Sequence, residues 1–387
     1  TVPSNRHAEC TDCHNPHRVT KNRLFNANPG IPDAAGTHDH AAGHTNIASG
    51  VLRGTSGVEP AYGSAAFMSN PSSYTVKRGD GGTGAATAVS SAYVTREYQI
   101  CLKCHSDFAY DVPPNLGDSP GGTPSGTNLL TKYTNQAMEF QAPLAHKGEG
   151  STSDSGARLT TNNHRSWHPV MDNTGRTPAV RGNLNPNTFL SPWNGAADIG
   201  NQTMYCTDCH GSATASNTVA PSGGEDGNPW GPHGSSNDFI LKGQWNQNVG
   251  TNTPDALCFR CHDWNQYANP NNNSPLASGF SGTLWWGSSN NMHIIHAKRV
   301  NSYGGVFRCS KCHVAVPHGW KNKAFLANLK DVGPEAGLPA GTTRSAPYSQ
   351  EPYYLGAWLK VDSFAKSGQW SWSNCSSTSM TSCGMAP

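Results

Sequence analysis

The sequence predicts a mostly irregular chain, with short helices, few short strands and little regular secondary structure. Three observations predict it. Only 35% of the 387 residues are hydrophobic, against roughly half in an ordinary soluble domain. Glycine and proline are plentiful, at 42 and 27 residues, and both interrupt regular elements. Ten of the 12 cysteines fall in five copies of one short pattern, C-x-x-C-H. Side chains alone are too few to fill an interior of this size, so something else must fill it.

In chain order, helix signals are short and breakers frequent. Val94 to His105 is the first helical patch, after the glycine-rich stretch 79–84. Asp118-Ser119-Pro120-Gly121-Gly122 breaks the chain again, as do residues 223–227 and the asparagine run 271–273. Asp255 to His262 and Lys321 to Asn328 are further helical candidates, and Phe239-Ile240-Leu241 is the best strand candidate. Between the repeated patterns lie long connections with irregular spacing, which excludes a stacked solenoid.

The five patterns are Cys10-Thr-Asp-Cys13-His14, Cys101-Leu-Lys-Cys104-His105, Cys206-Thr-Asp-Cys209-His210, Cys258-Phe-Arg-Cys261-His262 and Cys309-Ser-Lys-Cys312-His313. Chance predicts roughly 0.02 copies at this composition, and the spacing is the attachment signature of haem c. The chemistry requires it. Two thiols bond to the two vinyl groups of one porphyrin, and a single turn carries the adjacent histidine to the iron. A zinc site also uses paired C-x-x-C but does not require a histidine after every second cysteine. The expectation is five haem c groups, with the polypeptide wrapped around them as a chain. His14, His105, His210, His262 and His313 are then the proximal ligands.

Of the 17 histidines 12 remain, against only 7 methionines. That surplus favours bis-histidine iron throughout, closed to substrate and low in potential because methionine is the ligand that raises it. The distal candidates are His17, His168, His233, His296 and His318. Proline or glycine beside several of them stiffens the turn that aims the ring. His293 competes with His296, and His7 is the reserve. His38, His40 and His44 form a cluster suited to a transition metal or to a solvated loop, the latter preferred. His146 and His164 read as ordinary polar residues.

The near-neutral net charge of +2, with no lysine or arginine block, offers no nucleic-acid footprint. No run is long enough to span a membrane. The chain opens on polar residues and reads as a mature form from which any targeting segment has been removed. Haem c attachment outside the cytoplasm places it extracellularly or at the cell surface, or alternatively in the periplasm. There Cys375 and Cys383 are expected to form a disulfide. Residues 1–318 read as the pentahaem electron-transfer body and 319–387 as a haem-free aromatic tail. Tyr353, Tyr354, Trp358, Phe364, Trp370 and Trp372 form either a satellite cluster or a docking surface there.

Five C-x-x-C-H motifs, the opening Cys13-His14-Asn15-Pro16-His17 and polar filler between them resemble the large multihaem c-type cytochromes of metal-reducing bacteria. In size and texture the chain is most similar to the filament-forming cytochrome nanowires. That resemblance implies head-to-tail homopolymers with one distal histidine donated by the neighbouring protomer, and His17 matches that position. It also implies redox partner proteins and extracellular electron acceptors. The alternative is a monomeric periplasmic or outer-membrane shuttle. A multihaem reductase enzyme is disfavoured, because no C-x-x-C-K occurs.

Overall fold

The computed structural model describes residues 8–30, 36–40, 43–63, 69–113, 135–149, 162–182, 184–214, 231–245, 256–272, 274, 277–283, 289–302, 308–315, 317–333, 337–345, 357, 359–368, 370 and 374. Regular structure among them is sparse, as composition implied. Five helices occur: α1 (Cys10–Cys13), α2 (Tyr98–Cys101), α3 (Gln136–Glu139), α4 (Trp264–Tyr267) and α5 (Met292–Ser302). Only α5 exceeds four residues, at 11. Strands pair two by two. β1 (Gly57–Ala61) and β2 (Ser73–Lys77) form the longest antiparallel pair. β3 (Ser166–Trp167) pairs with β6 (Gly319–Trp320), and β4 (Ser281–Thr283) with β5 (Ser289–Asn291). β7 (Ala327–Asn328) and β8 (Lys360–Val361) run parallel.

Several local expectations change. The first helical patch shrinks to α2. Residues Leu257–Arg260 and Lys323–Phe325 close single 3-10 turns instead of α-helices. The expected strand at Phe239-Ile240-Leu241 is wrong, because Asp238–Ile240 is a tight turn with positive φ at Phe239 and Ile240. Three consecutive apolar residues suit a strand or a buried turn equally, and periodicity over so short a run does not separate them.

The apolar residues collect in four small clusters, and three of them lean on motif cysteines. Phe25, Ala48, Val94 and Ile100 pack beside Cys13. Val58, Tyr98, Phe140, Trp193 and Met204 belong to a cluster that meets Cys206, Cys209 and Cys261. Leu326, Leu359, Val361 and Phe364 pack with Phe280, Trp370 and Cys312. The fourth joins Val314, Trp320, Leu329, Val332 and Ala357. The described part of residues 319–387 therefore packs directly on the fifth motif. Tyr353, Tyr354, Trp358, Trp372, Cys375 and Cys383 lie outside the described residues, as does His7. No helix among the described residues is long and apolar enough to cross a membrane.

Candidate functional site

All five C-x-x-C-H motifs close the same turn. The histidine N–H donates to the carbonyl of the first cysteine in each, over 2.8 Å at His14, 3.0 Å at His105 and His210, and 2.9 Å at His262 and His313. This i to i−4 bond is one turn of helix, and it brings both thiols and the imidazole together. In the two motifs containing Thr-Asp, the aspartate caps its own turn. Asp12 Oδ2 accepts from Glu9 N–H at 2.9 Å and Asp208 Oδ2 from Tyr205 N–H at 2.8 Å. All ten motif cysteines are free thiols.

The motifs abut one another in sequence order. Lys103 of the second motif donates to the Asp12 carbonyl of the first at 2.6 Å, and Cys206 meets Cys101, their sulfurs lying within 4.8 Å of each other and of a Glu97 oxygen. Cys209 neighbours Cys261, and Cys258 contacts Cys309. The order of sites in space is thus first to fifth, a point on which the sequence is silent.

Distant histidines meet the motif histidines in pairs. Ring centroids are 6.0 Å apart for His14 and His233, 6.2 Å for His210 and His318, and 6.1 Å for His313 and His293. Two imidazoles binding one metal from opposite sides stand roughly 6 Å apart, given a metal–nitrogen bond of about 2 Å. Burial, and after it the neighbouring His168 imidazole, hold His262 near 3, so that ring is neutral. For His105 the neighbouring imidazole is His318, already paired with His210.

In six of these histidines the other ring nitrogen is anchored. Nδ1–H donates from His14 to the Val51 carbonyl at 2.7 Å, from His210 to Phe239 at 2.8 Å and from His313 to Ala324 at 2.6 Å. On the far side, His168 donates to the Pro317 carbonyl at 2.5 Å, His318 to Glu139 Oε2 at 2.7 Å and His293 to Ser278 Oγ at 2.7 Å. A carbonyl or carboxylate acceptor fixes the proton on Nδ1, which leaves the Nε2 lone pair for a metal. These acceptors were not foreseen, since nothing in the sequence links Glu139 to a residue 179 positions away. Gly319 makes that contact possible. A Cβ there would lie 1.7 Å from the Glu139 carbonyl.

No known protein family, curated protein or solved structure matches this chain.

The remaining candidates divide. His296 turns Nδ1 to the Met292 carbonyl at 2.6 Å and stacks on Phe280, while His293, one turn earlier on α5, faces His313. His17 is exposed in a turn whose backbone is held by Asn15 Oδ1. The preference for solvated loop histidines at His38, His40 and His44 is overturned, since their exposures are 0%, 7% and 3%. His38 Nε2 bonds Thr207 Oγ1 at 2.7 Å, and His40 Nε2 bonds Asp208 Oδ1 at 3.0 Å. Thr207 also donates to Glu97 Oε2 at 2.7 Å. Burial pushes Glu97 up to about 7. Asp208 is held far below the carboxylate range by His40 and His38, although burial opposes this. These rings buttress the third motif from a loop about 170 residues away. His164, read as an ordinary polar residue, is likewise buried, 3.4 Å from Glu149.

Proposed function

We propose that this chain is a pentahaem c-type cytochrome that carries electrons, and that it serves as the protomer of an extracellular filament. The three opposed imidazole pairs at 6.0–6.2 Å, each containing one motif histidine, carry the reading. Ten free thiols and six rings anchored through Nδ1 fit the group. Haem c, once bound, supplies reversible one-electron chemistry at iron, with its potential set by axial ligands and surroundings.

Cys10 and Cys13, Cys101 and Cys104, Cys206 and Cys209, Cys258 and Cys261, and Cys309 and Cys312 would hold the five groups. His233 pairs with His14, His318 with His210, His168 with His262 and His293 with His313. That choice prefers His293 to His296. His105 is left without a distal partner of its own among the described residues. His17 is the distal candidate still unassigned, and both residues are exposed. A bond from His17 of one protomer to the His105 centre of another would be a heterologous contact, which forms an open chain when it does not close into a ring.

His17→Ala tests this in the secreted holoprotein. Five covalent haems, one high-spin centre by EPR and loss of filaments in electron micrographs are expected. Normal filaments would reject the donated ligand, and a wild type that forms no filaments would favour the shuttle. A wild type without covalent haem would reject the cytochrome reading itself.

A further inference from the structure

Three motif histidines face one recurring turn. Its residues are 238–241 at His210, 323–326 at His313 and 186–189 at His262. Each follows an asparagine in extended conformation, namely Asn237, Asn322 and Asn185. Each closes by a bond from its fourth residue to its first, at 3.2 Å for Leu241 to Asp238, 3.1 Å for Leu326 to Lys323 and 3.3 Å for Phe189 to Pro186. The residue after each motif histidine docks on the third position. Gly211 donates to Ile240 at 2.7 Å, Val314 to Phe325 at 3.0 Å and Asp263 to Thr188 at 2.8 Å. The register is the same in all three, so Asn187 stands where Phe239 and Ala324 stand.

The bonds made to the imidazoles differ. Phe239 and Ala324 accept from His210 and His313 Nδ1–H. The Nδ1 of His262 is buried with no hydrogen-bond partner. The backbone differs in the same way. Phe239 and Ile240 have φ of 59° and 55°, and Ala324 and Phe325 have 51° and 58°. Asn187 and Thr188 are not left-handed. For residues with bulky or β-branched side chains the left-handed region is unfavourable and persists only where surroundings hold it. Asparagine tolerates it best of the non-glycine residues, yet Asn187 does not use it. Local preference therefore does not explain the pattern. What the two left-handed turns share is a carbonyl delivered to a motif histidine.

We propose that these two turns are positioning devices that lower the potentials of the His210 and His313 centres, and that the His262 centre, lacking the bond, sits above both. This rests on the haem reading above. A histidine that donates its second N–H is a more basic ligand, and hydrogen bonding around the ligands is a lever on haem potential. A more basic imidazole stabilises the oxidised, more positive iron, so the potential falls. The sites abut in sequence order, and the fourth therefore becomes a resting place for an electron between a lower third and a lower fifth.

The test is a redox titration of the five-haem protein with NMR tracking of haem methyls, assigned through their attached cysteines. In the wild type, the haem on Cys258 and Cys261 is reduced before those on Cys206 and Cys209 or Cys309 and Cys312. Phe239→Pro fixes φ near −65° and forbids the left-handed turn at a side chain that is 37% exposed. It should move the His210 step upward with five haems retained. Thr188→Gly places glycine after Asn187, the pair that favours left-handed two-residue turns, and should move the His262 step downward. A wild-type His262 centre at or below its two neighbours overturns the inference, as do unmoved steps in either five-haem variant. These results would leave the cytochrome reading standing, whereas absence of covalent haem would remove it.

Discussion

Glu139 is, among the described residues, the carboxylate that accepts from a ring proposed as an axial ligand, at 2.7 Å from His318 Nδ1. A charged acceptor draws the proton more strongly than a carbonyl does. Glu139→Gln keeps the shape and removes the charge. One redox step should rise by an amount equivalent to about 1 kcal/mol, the difference between charged and neutral hydrogen bonds. Spectroelectrochemistry and haem counting check it, and five unmoved steps would contradict it. Individual residues of this kind divide sharply in legibility. The motif cysteines and histidines are plain in the sequence because one local turn makes them. Glu139, Ser278 and the acceptor carbonyls are invisible there, because their partners come from remote segments. His38, His40 and His44 looked solvated for the same reason. His38 and His40 are held by Thr207 and Asp208, and His44 stacks on Trp193, all far away in the chain.

Among the elements, α5 separates two histidines that the sequence leaves as rivals. His293 and His296 are three residues apart, hence neighbours on one helix face. Only His293 reaches His313, and Ser278 steadies it. His296 returns its Nδ1–H to the preceding turn. The expectation is that His293→Ala converts one low-spin centre to high spin, while His296→Ala leaves five low-spin centres. EPR of the two oxidised proteins decides, and the reverse outcome would exchange their roles. The scarcity of regular elements was legible, since apolar residues are too few and glycine and proline too many. Their exact form was not. A helix of four residues and a left-handed turn of three leave no periodic trace, because neither is long enough to repeat.

For the whole molecule, one buried charge cluster ties Glu149 and His164 to Lys323 and Ser367, which lie far away in the chain. Glu149 bonds Lys323, accepts from Ser367 Oγ at 2.5 Å and lies 3.4 Å from His164 Nε2. Lys323 also donates to the Ala365 carbonyl at 2.8 Å. Burial alone would raise the Glu149 carboxyl, but His164 and Lys323 prevail and hold it well below its usual value of 4.5. A carboxylate depressed in the folded state stabilises above the unfolded value, and that stability is lost as pH falls below it. Glu149→Gln should therefore cost about 3 kcal/mol near pH 7, as for breaking a buried ion pair. The gap to wild type should narrow below about pH 4. Thermal melts of both proteins across that range give the answer, and a gap independent of pH would show that the pair is not charged.

The meeting of His318 with Glu139, 179 residues apart, also bears on the order in which the protein matures. Each C-x-x-C-H turn spans only five residues and can form as soon as its segment emerges. The opposing histidines depend on contacts between remote segments, and such contacts close slowly because loop entropy must be overcome first. On the proposed haem reading, attachment would meet a chain whose near-side sites are ready and whose far-side sites are unbuilt. On that reading, loading first and closing second follows from the chain lengths.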